Sequence, residues 1–286
     1  MTALPAGLSD LAPDYDVLLS DVWGVIHNGR ESFAGACAAL ARFRAERGPV
    51  VLISNSPRPA HDVVPQLDAL GVPREAWSTL VTSGDATRML LGKRAPGPAW
   101  IIGPARDGTL YEGLGLTTAE PEAAAFISVT GPFDDEVETP EDYRERFVAP
   151  AARGLTMICA NPDRVVQRGD RLIYCGGALA DLYKDMGGEV LMAGKPYAPI
   201  YDLSLAEVDR LLGRDSDPAR VLCIGDGVHT DVLGAEDRGL DCLFVARGIH
   251  GEAAMGADGR LSGPAVDALL AAEGVKARYA MADLVW

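Results

Sequence analysis

The stretch DVLLSDVWGVI, residues 16–26, decides how this chain is expected to fold. Its apolar run is short enough for a buried strand, and Asp21 stands where that strand would end. A second run, PVVLISNS at residues 49–56, ends at Ser54 in the same way. Between the two, residues 32–48 place apolar side chains at helical spacing. This succession of strand, helix and strand is typical of a parallel sheet covered by helices on both faces.

The same alternation continues along the chain and predicts a doubly wound, Rossmann-like α/β fold. Further strands are predicted in TLVTSG, AWIIG, AAFISVTG, TMICANPD and RVLCIGDG, and from Asp241 onwards, and near GGEVLMAGKP the chain is expected to return to the unit in which it began. Helices are predicted in HDVVPQLDALG, ATRMLLGKR, the segment opening at TPED, APIYDLSLAEVDRLLG and PAVDALLAAEG. Because 286 residues exceed the usual size of a single domain, two packed units are expected.

The composition is that of an ordinary globular protein, with 48% hydrophobic and 23% charged residues. A formal charge of −15 disfavours binding to nucleic acid or to anionic lipid, so the expected partner is a small molecule. The five scattered cysteines form no CxxC pair and are predicted to be buried free thiols. With no leader-like or membrane-spanning run in the sequence, a cytoplasmic location is expected.

Three polar residues follow apolar runs at the predicted ends of strands: Asp21, Ser54 and Asp226. In open parallel sheets, ligands bind at the edge formed by the carboxyl ends of the strands, so these side chains are expected to converge there. Taken singly, an aspartate at a strand end is more often a helix cap, and SNS could be an ordinary turn.

The combination of residues favours chemistry on a phosphate group. Asp226 and Asp231, in GDGVHTD, are spaced so that two carboxylates can face one hard metal ion, although a capped helix start would also explain them. Lys195, in GKP, could balance negative charge or be a surface lysine. Phosphoryl transfer needs a nucleophile, metal-binding carboxylates, donors to the phosphate oxygens and a cation, and the chain has all four.

These motifs resemble those of the haloacid dehalogenase superfamily, in the order DVWGVI, ISNS, GKP and GDGVHTD. The stretch between the second and third motifs, which contains ANPD and GGALADLYKDMGG, is similar to the cap of the class IIA branch. That branch includes sugar-phosphate, nucleotide and nitrophenyl-phosphate phosphatases. The resemblance implies a discontinuous hydrolase core over residues 1–83 and 190–286 with an inserted α/β cap domain over residues 84–189.

For catalysis, the resemblance implies that Asp21 attacks phosphorus and forms an aspartyl-phosphate. Mg²⁺ would be bound by Asp21, the backbone carbonyl of Trp23 and Asp226, with Asp231 supporting the metal site. The implied reaction is Mg²⁺-dependent hydrolysis of a small phosphorylated metabolite, either a sugar phosphate or a nucleotide-like compound. Nucleic acid and membrane are not expected partners, and a homo-oligomer is compatible with the sequence.

The resemblance also implies which residues bind the phosphate group. Ser54 and the backbone N–H of Asn55 would donate hydrogen bonds to its oxygens, and Lys195 would offset its charge. For contact between the cap and the substrate, Asp181, Tyr183 and Lys184 are the first candidates, and a solvated helix face is the alternative.

Trp23 departs from the family pattern, because phosphatases carry a second aspartate at this position as general acid and base. Indole cannot replace a carboxyl group in proton transfer. Three explanations stand: a slow or leaving-group-restricted phosphohydrolase with His27 or His229 as proton donor, a haloacid-dehalogenase-like hydrolase, or a phosphoester-binding regulatory module with little turnover. Haloacid dehalogenases carry an aromatic residue here but lack the metal. The retained Asp226 and Asp231 therefore argue against this second explanation.

Overall fold

A computed structural model describes residues 1–168, 171–248, 251, 253–256 and 258–286. Its strands are β1 (Val17–Asp21), β2 (Val50–Ser54), β3 (Thr79–Thr82), β4 (Ala99–Ile102), β5 (Phe126–Val129), β6 (Thr156–Cys159), β7 (Val165–Arg168), β8 (Arg171–Tyr174), β9 (Glu189–Met192), β10 (Val221–Gly225), β11 (Asp241–Val245) and β12 (Tyr279–Met281). Its α-helices are α1 (Ala34–Glu46), α2 (Ala60–Ala69), α3 (Ser83–Gly92), α4 (Arg144–Ala152), α5 (Gly176–Asp185), α6 (Ala198–Leu212), α7 (Leu233–Asp237) and α8 (Gly263–Ala272).

The chain divides into two compact units. The first comprises Met1–Ser54, Val63–Val81 and Tyr201–Trp286, and the second comprises Asn55–Asp62 and Thr82–Ile200. The assignment of residues 1–83 and 190–286 to a hydrolase core, with 84–189 as its cap, remains a prediction.

The first unit contains a six-stranded sheet in the order β12-β11-β10-β1-β2-β3. Strand β1 pairs in parallel with β2 on one side and with β10 on the other, so the chain order reverses at β1. All five residues of β1 and of β10 are buried, which explains why both read as continuous apolar runs. The predicted doubly wound parallel sheet is confirmed.

The second unit has its own parallel sheet, in the order β4-β5-β6-β9, and a separate antiparallel hairpin of β7 and β8. Aromatic side chains fill its core, among them Tyr143, Phe147 and Tyr183. Tyr183 is fully buried and its hydroxyl donates to the carbonyl of Leu155 at 2.7 Å. The expectation that Tyr183 contacts substrate or lies on a solvated helix face is therefore wrong, because its ring packs into this core.

Two local predictions are confirmed, the helix that opens at TPED and the buried free cysteines. The segment opening at TPED begins with a capping box between Thr139 and Asp142, which leads through a 3₁₀ turn into α4. All five cysteines are buried and free. Over the described residues, the helices are too short or too polar to cross a lipid bilayer.

Candidate metal and phosphate site

Three carboxylates meet at the carboxyl edge of the six-stranded sheet. Asp21 is the last residue of β1, and Asp226 directly follows β10, the neighbouring strand. Asp231 lies one turn further along the chain. One oxygen from each of Asp21, Asp226 and Asp231 lies within 4.8 Å of the others, and all three residues are buried. The structure thus brings together carboxylates that are about 200 positions apart in the sequence.

Two glycines make room for the carboxylate of Asp226. A Cβ atom added at Gly24 would lie 2.0 Å from Asp226 Oδ2, and one added at Gly248 would lie 1.9 Å from the same oxygen. Gly24 also has a φ of +82°, a conformation that side-chain-bearing residues rarely adopt. The loops after β1 and β11 can therefore approach Asp226 only because both positions lack a side chain.

Asp231 is oriented by the turn on which it stands. Residues Val228–Val232 form a π-helical turn, and the backbone N–H of Gly227 donates to Asp231 Oδ2 at 3.0 Å. The hydroxyl of Thr230 lies 3.4 Å from the same oxygen. π-helical turns are rare and frequently occur at functional sites. This one sets Asp231 back towards the sheet, beside Asp21 and Asp226.

The chemistry of this carboxylate cluster fits a hard divalent cation. Mg²⁺ and Ca²⁺ prefer oxygen ligands, and the three aspartates supply them. Three like charges buried this close repel one another, and a bound cation would offset that repulsion. Asp21, Asp226 and Asp231 are therefore the residues that could hold such an ion.

Ser54 ends β2, next to β1 in the sheet, where Ile53 is the register partner of Asp21. Its side chain is half-buried at the same carboxyl edge of the sheet as Asp21. Asn55 and Lys195, both in the second unit, contact each other: the backbone N–H of Lys195 donates to Asn55 Oδ1 at 2.7 Å. Lys195 is almost completely buried.

Trp23 is held in the loop after β1 by its own neighbours. Its indole ring meets the ring of His27 edge-on, with centroids 5.3 Å apart, and a Cβ atom at Gly29 would lie 2.2 Å from the indole. The backbone N–H of Gly24 donates to the carbonyl of His27 at 2.8 Å and closes the loop. Even so, 42% of Trp23 is exposed. The indole is therefore supported by its neighbours and partly exposed.

The two histidines proposed as proton donors lie in different surroundings. His27 is buried, its Nδ1 accepts from the backbone N–H of Gly29 at 3.0 Å, and burial lowers its pKa to about 4. It is therefore a neutral imidazole at neutral pH. His229 is exposed and its Nε2 lies 3.1 Å from a carboxylate oxygen of Glu273, just after α8. The roles of His27 and His229 as proton donors remain predictions.

Comparison with known proteins identifies the family. One family model, described as haloacid dehalogenase-like hydrolase, matches residues 18–117, and a second, described as HAD-hydrolase-like, matches residues 192–272. A crystal structure of a haloacid dehalogenase-like hydrolase from Brucella suis is 45% identical with a TM-score of 0.85, and the alignment covers 99% of this chain and 100% of that one. The chain belongs to the haloacid dehalogenase-like hydrolase family.

More distant matches to this hydrolase, one in sequence and one in structure, are named as phosphatases. D-glycerol 3-phosphate phosphatase from Mycobacterium tuberculosis is 25% identical, and the alignment covers 85% of this chain but just under two thirds (66%) of that relative. A structure of a glycerol phosphate phosphatase from the same organism, in complex with calcium, is 25% identical with a TM-score of 0.64. That alignment covers 84% of this chain and 68% of the other.

Some residues around the site of this hydrolase escaped the sequence analysis. The sequence does not single out Gly24 or Gly248, because a glycine in a loop usually signals only a turn. One signal could have found them. It is a glycine shortly after the end of a strand, where the following loop passes close to a carboxylate. The side-chain contacts of Asn55 and Asp163 have no local sequence signature, because their partners are distant in the chain.

Proposed function

We propose that this hydrolase is a metal-dependent phosphomonoesterase with Asp21 as its nucleophile. The observation that carries the proposal is the buried cluster of Asp21, Asp226 and Asp231 at the point where the strand order reverses. Such switch points are where open α/β sheets bind ligands. A divalent cation, Mg²⁺ in this proposal, would be bound there by these carboxylates and by the backbone carbonyl of Trp23. It would stabilise the charge of the phosphoryl group.

In the proposed reaction, a carboxylate oxygen of Asp21 forms a bond to phosphorus while the ester P–O bond breaks. The leaving alkoxide takes a proton from water and departs as the alcohol. Water then attacks the aspartyl-phosphate, which releases inorganic phosphate and returns Asp21 to its carboxylate form. The net reaction consumes one water molecule and needs no oxidant or reductant.

Ser54, Asn55 and Lys195 complete the proposal as phosphate-binding residues. The hydroxyl of Ser54 and the backbone N–H of Asn55 are donors of the type that phosphate oxygens accept. Lys195 would balance the charge on Asp21 and on the phosphoryl group. Its burial supports a role other than that of a surface lysine, because lysines are almost never fully buried unless paired.

The proposed substrate is a small phosphorylated metabolite, of the sugar-phosphate or nucleotide-like kind. The similarity to glycerol phosphate phosphatase from Mycobacterium tuberculosis, in sequence and in structure, supports the smaller end of that range. Trp23 restricts the proposal, because position 23 offers no carboxyl group to protonate the leaving oxygen. We therefore infer that the enzyme turns over best those esters whose leaving group departs without a proton donor.

The test is hydrolysis of p-nitrophenyl phosphate with Mg²⁺ and with EDTA, in the wild type and in Asp21→Asn. We expect Mg²⁺-dependent turnover, and a loss of at least about a thousandfold in kcat for the variant, because an amide cannot attack phosphorus. Asp68→Asn is a control, since Asp68 is exposed and its carboxylate pairs with Arg74. It should hydrolyse at the wild-type rate.

Two other outcomes would overturn the proposal in favour of a different function. Halide release from a 2-haloacid in EDTA would indicate a dehalogenase. Tight binding of phosphoesters without turnover would indicate a regulatory module. This is the second candidate function, and the missing carboxyl group at position 23 favours it.

A further inference from the structure

The side chain of Asn55 forms hydrogen bonds with the backbone of Lys195 on both sides of its Cα atom. Asn55 Oδ1 accepts from the backbone N–H of Lys195 at 2.7 Å, and Asn55 Nδ2 donates to the backbone carbonyl of Lys195 at 3.2 Å. The same Nδ2 donates to Asp163 Oδ1 at 2.9 Å. The two ends of this contact are 140 residues apart in the sequence. One amide therefore ties the loop after β2 to the loop after β9 and to the ANPD segment.

The orientation of this amide follows from its partners. Turning it over would set Oδ1 against two acceptors, the carbonyl of Lys195 and the carboxylate of Asp163, and would aim Nδ2 at the N–H of Lys195. Only one orientation of the Asn55 amide satisfies all three hydrogen bonds. Both the carbonyl oxygen and the NH₂ group of the Asn55 side chain are thus matched to their hydrogen-bond partners. A polar loop residue without a specific role would not show such a match.

The partners of Asn55 are themselves held in place. The N–H of Asp163 donates to Asn161 Oδ1 at 3.1 Å, and the carbonyl of Asp163 accepts from the N–H of Gly177, in the first turn of α5, at 3.1 Å. On the other side, a Cβ atom at Gly194 would lie 2.5 Å from Asn55 Oδ1. The glycine before Lys195 is thus what lets the backbone reach the amide. The contact is built from several elements of the second unit.

We propose that Asn55 is a positioning residue for Lys195, an inference that rests on the proposed function of Lys195 in balancing phosphoryl charge. A lysine side chain has a flexible four-carbon stem, so its ammonium group is only as well placed as the Cα atom that carries it. By hydrogen-bonding both the N–H and the carbonyl of Lys195, Asn55 fixes that starting point. The side chain of Asn55 therefore acts through Lys195, in addition to the N–H that its backbone offers.

The experiment is a double-mutant cycle between Asn55→Ala and Lys195→Ala, measured as kcat/KM for p-nitrophenyl phosphate at saturating Mg²⁺. We expect Asn55→Ala to lower kcat/KM by about 10- to 100-fold in the wild-type background, since a misplacement near 1 Å can have that effect. In the Lys195→Ala background, the same change should have less than about a twofold effect, because the ammonium group it positions is gone. Equal losses in both backgrounds would overturn the proposal.

Two further variants separate positioning from general stability. Asn161→Ala removes a comparable side-chain amide from the same loops but none of the hydrogen bonds to Lys195, and should keep kcat/KM within about threefold of the wild type. Asn55→Asp is isosteric, and we expect a larger loss than for alanine, because its carboxylate would meet that of Asp163 and the carbonyl of Lys195. It also serves if Asn55→Ala does not fold. A wild-type rate in Asn55→Asp would contradict the proposal.

Binding of inorganic phosphate, measured by calorimetry in Mg²⁺, distinguishes failure of this inference from failure of the proposed function. If the wild type does not hydrolyse phosphoesters, the proposed function fails. The double-mutant cycle is then measured as the affinity for inorganic phosphate in place of kcat/KM. Asn55→Ala should then weaken phosphate binding about tenfold or more when Lys195 is present and leave it unchanged in Lys195→Ala. The same weakening in both backgrounds, or none in either, would overturn the positioning role.

Discussion

The indole at position 23 is supported by its neighbours and partly exposed. The ring of Trp23 rests against the backbone of Gly29 and the ring of His27, yet nearly half of the residue is exposed. An aromatic surface of this kind can pack against a planar leaving group but cannot protonate one. The proposed enzyme should therefore discriminate among phosphoesters by the proton demand of the leaving group.

Replacing the indole with a carboxylate should relieve this restriction. In Trp23→Asp we expect kcat/KM for an alkyl phosphate such as glycerol phosphate to rise relative to that for p-nitrophenyl phosphate, by up to about a hundredfold, which is the low end of general acid catalysis. Steady-state kinetics on both substrates measures this ratio. Trp23→Phe removes the indole without adding a carboxyl group and should leave the ratio unchanged. Fast wild-type hydrolysis of alkyl phosphates with no gain in Trp23→Asp would contradict our account of Trp23.

Residues of the candidate site differ in how far the sequence could predict them. Asp21, Asp226 and Asp231 were expected together from motif and spacing, and the structure clusters them. The burial of His27 was not expected, because a loop histidine four residues after Trp23 gives no sign of what covers it. The side-chain contacts of Asn55 were not expected either, since only the assembled loops supply their partners.

At the scale of elements, the apolar runs predicted most of the buried strands, whereas some short strands were not predicted. The hairpin of β7 and β8 joins two four-residue strands of mixed character and carries no continuous apolar run. Strand β12 is only three residues long. Such strands form because a neighbouring strand or turn offers backbone partners, which periodicity in a single segment does not reveal. The π-helical turn at Asp231 was not predicted either, although its backbone hydrogen bonds are local.

Two capping boxes offer a matched test of how helix starts contribute to stability. Asp85 accepts from the N–H and the hydroxyl of buried Thr82, and also from the N–H of Ala60 at 3.2 Å. Asp85→Ala should therefore lower the free energy of unfolding by about 1–3 kcal/mol, because buried donors lose their acceptor. Asp142 makes the same box with exposed Thr139, where water can replace it, so Asp142→Ala should be milder.

Urea-induced unfolding of both variants measures the difference between the two boxes. A loss for Asp142→Ala equal to or greater than that for Asp85→Ala would contradict the argument from burial. If both variants match the wild type, neither capping box contributes measurably to the stability of the protein.

At the scale of the whole molecule, the six-stranded sheet holds three buried carboxylates in mutual repulsion. Asp21 ends β1 and Asp226 directly follows the neighbouring strand β10, so the sheet brings these two carboxylates close together. A cation that binds only the folded state stabilises it by mass action, by about 2.7 kcal/mol at a concentration one hundred times the dissociation constant. The stability of this protein should therefore depend on Mg²⁺.

Removing the metal should reverse the order of stability of Asp226→Asn and the wild type. In EDTA it should be at least as stable as the wild type, because one of three buried negative charges is gone. In excess Mg²⁺ it should be less stable, because it has lost a ligand. Thermal unfolding in both conditions measures this. Equal effects of the substitution in EDTA and in Mg²⁺ would show that Asp226 does not contribute to metal binding.

By itself, the sequence determined the fold class, the family resemblance and the residue types of the site, because buried strands, strand-end carboxylates and glycine turns leave local patterns. Tertiary structure alone decided which of these residues meet. The pairing of β1 with β10, the tight approach of Gly24 and Gly248 to Asp226, and the grip of Asn55 on Lys195 each join distant segments. Such contacts depend on sheet order and loop packing, which arise from many weak interactions across the chain, and no single segment encodes them.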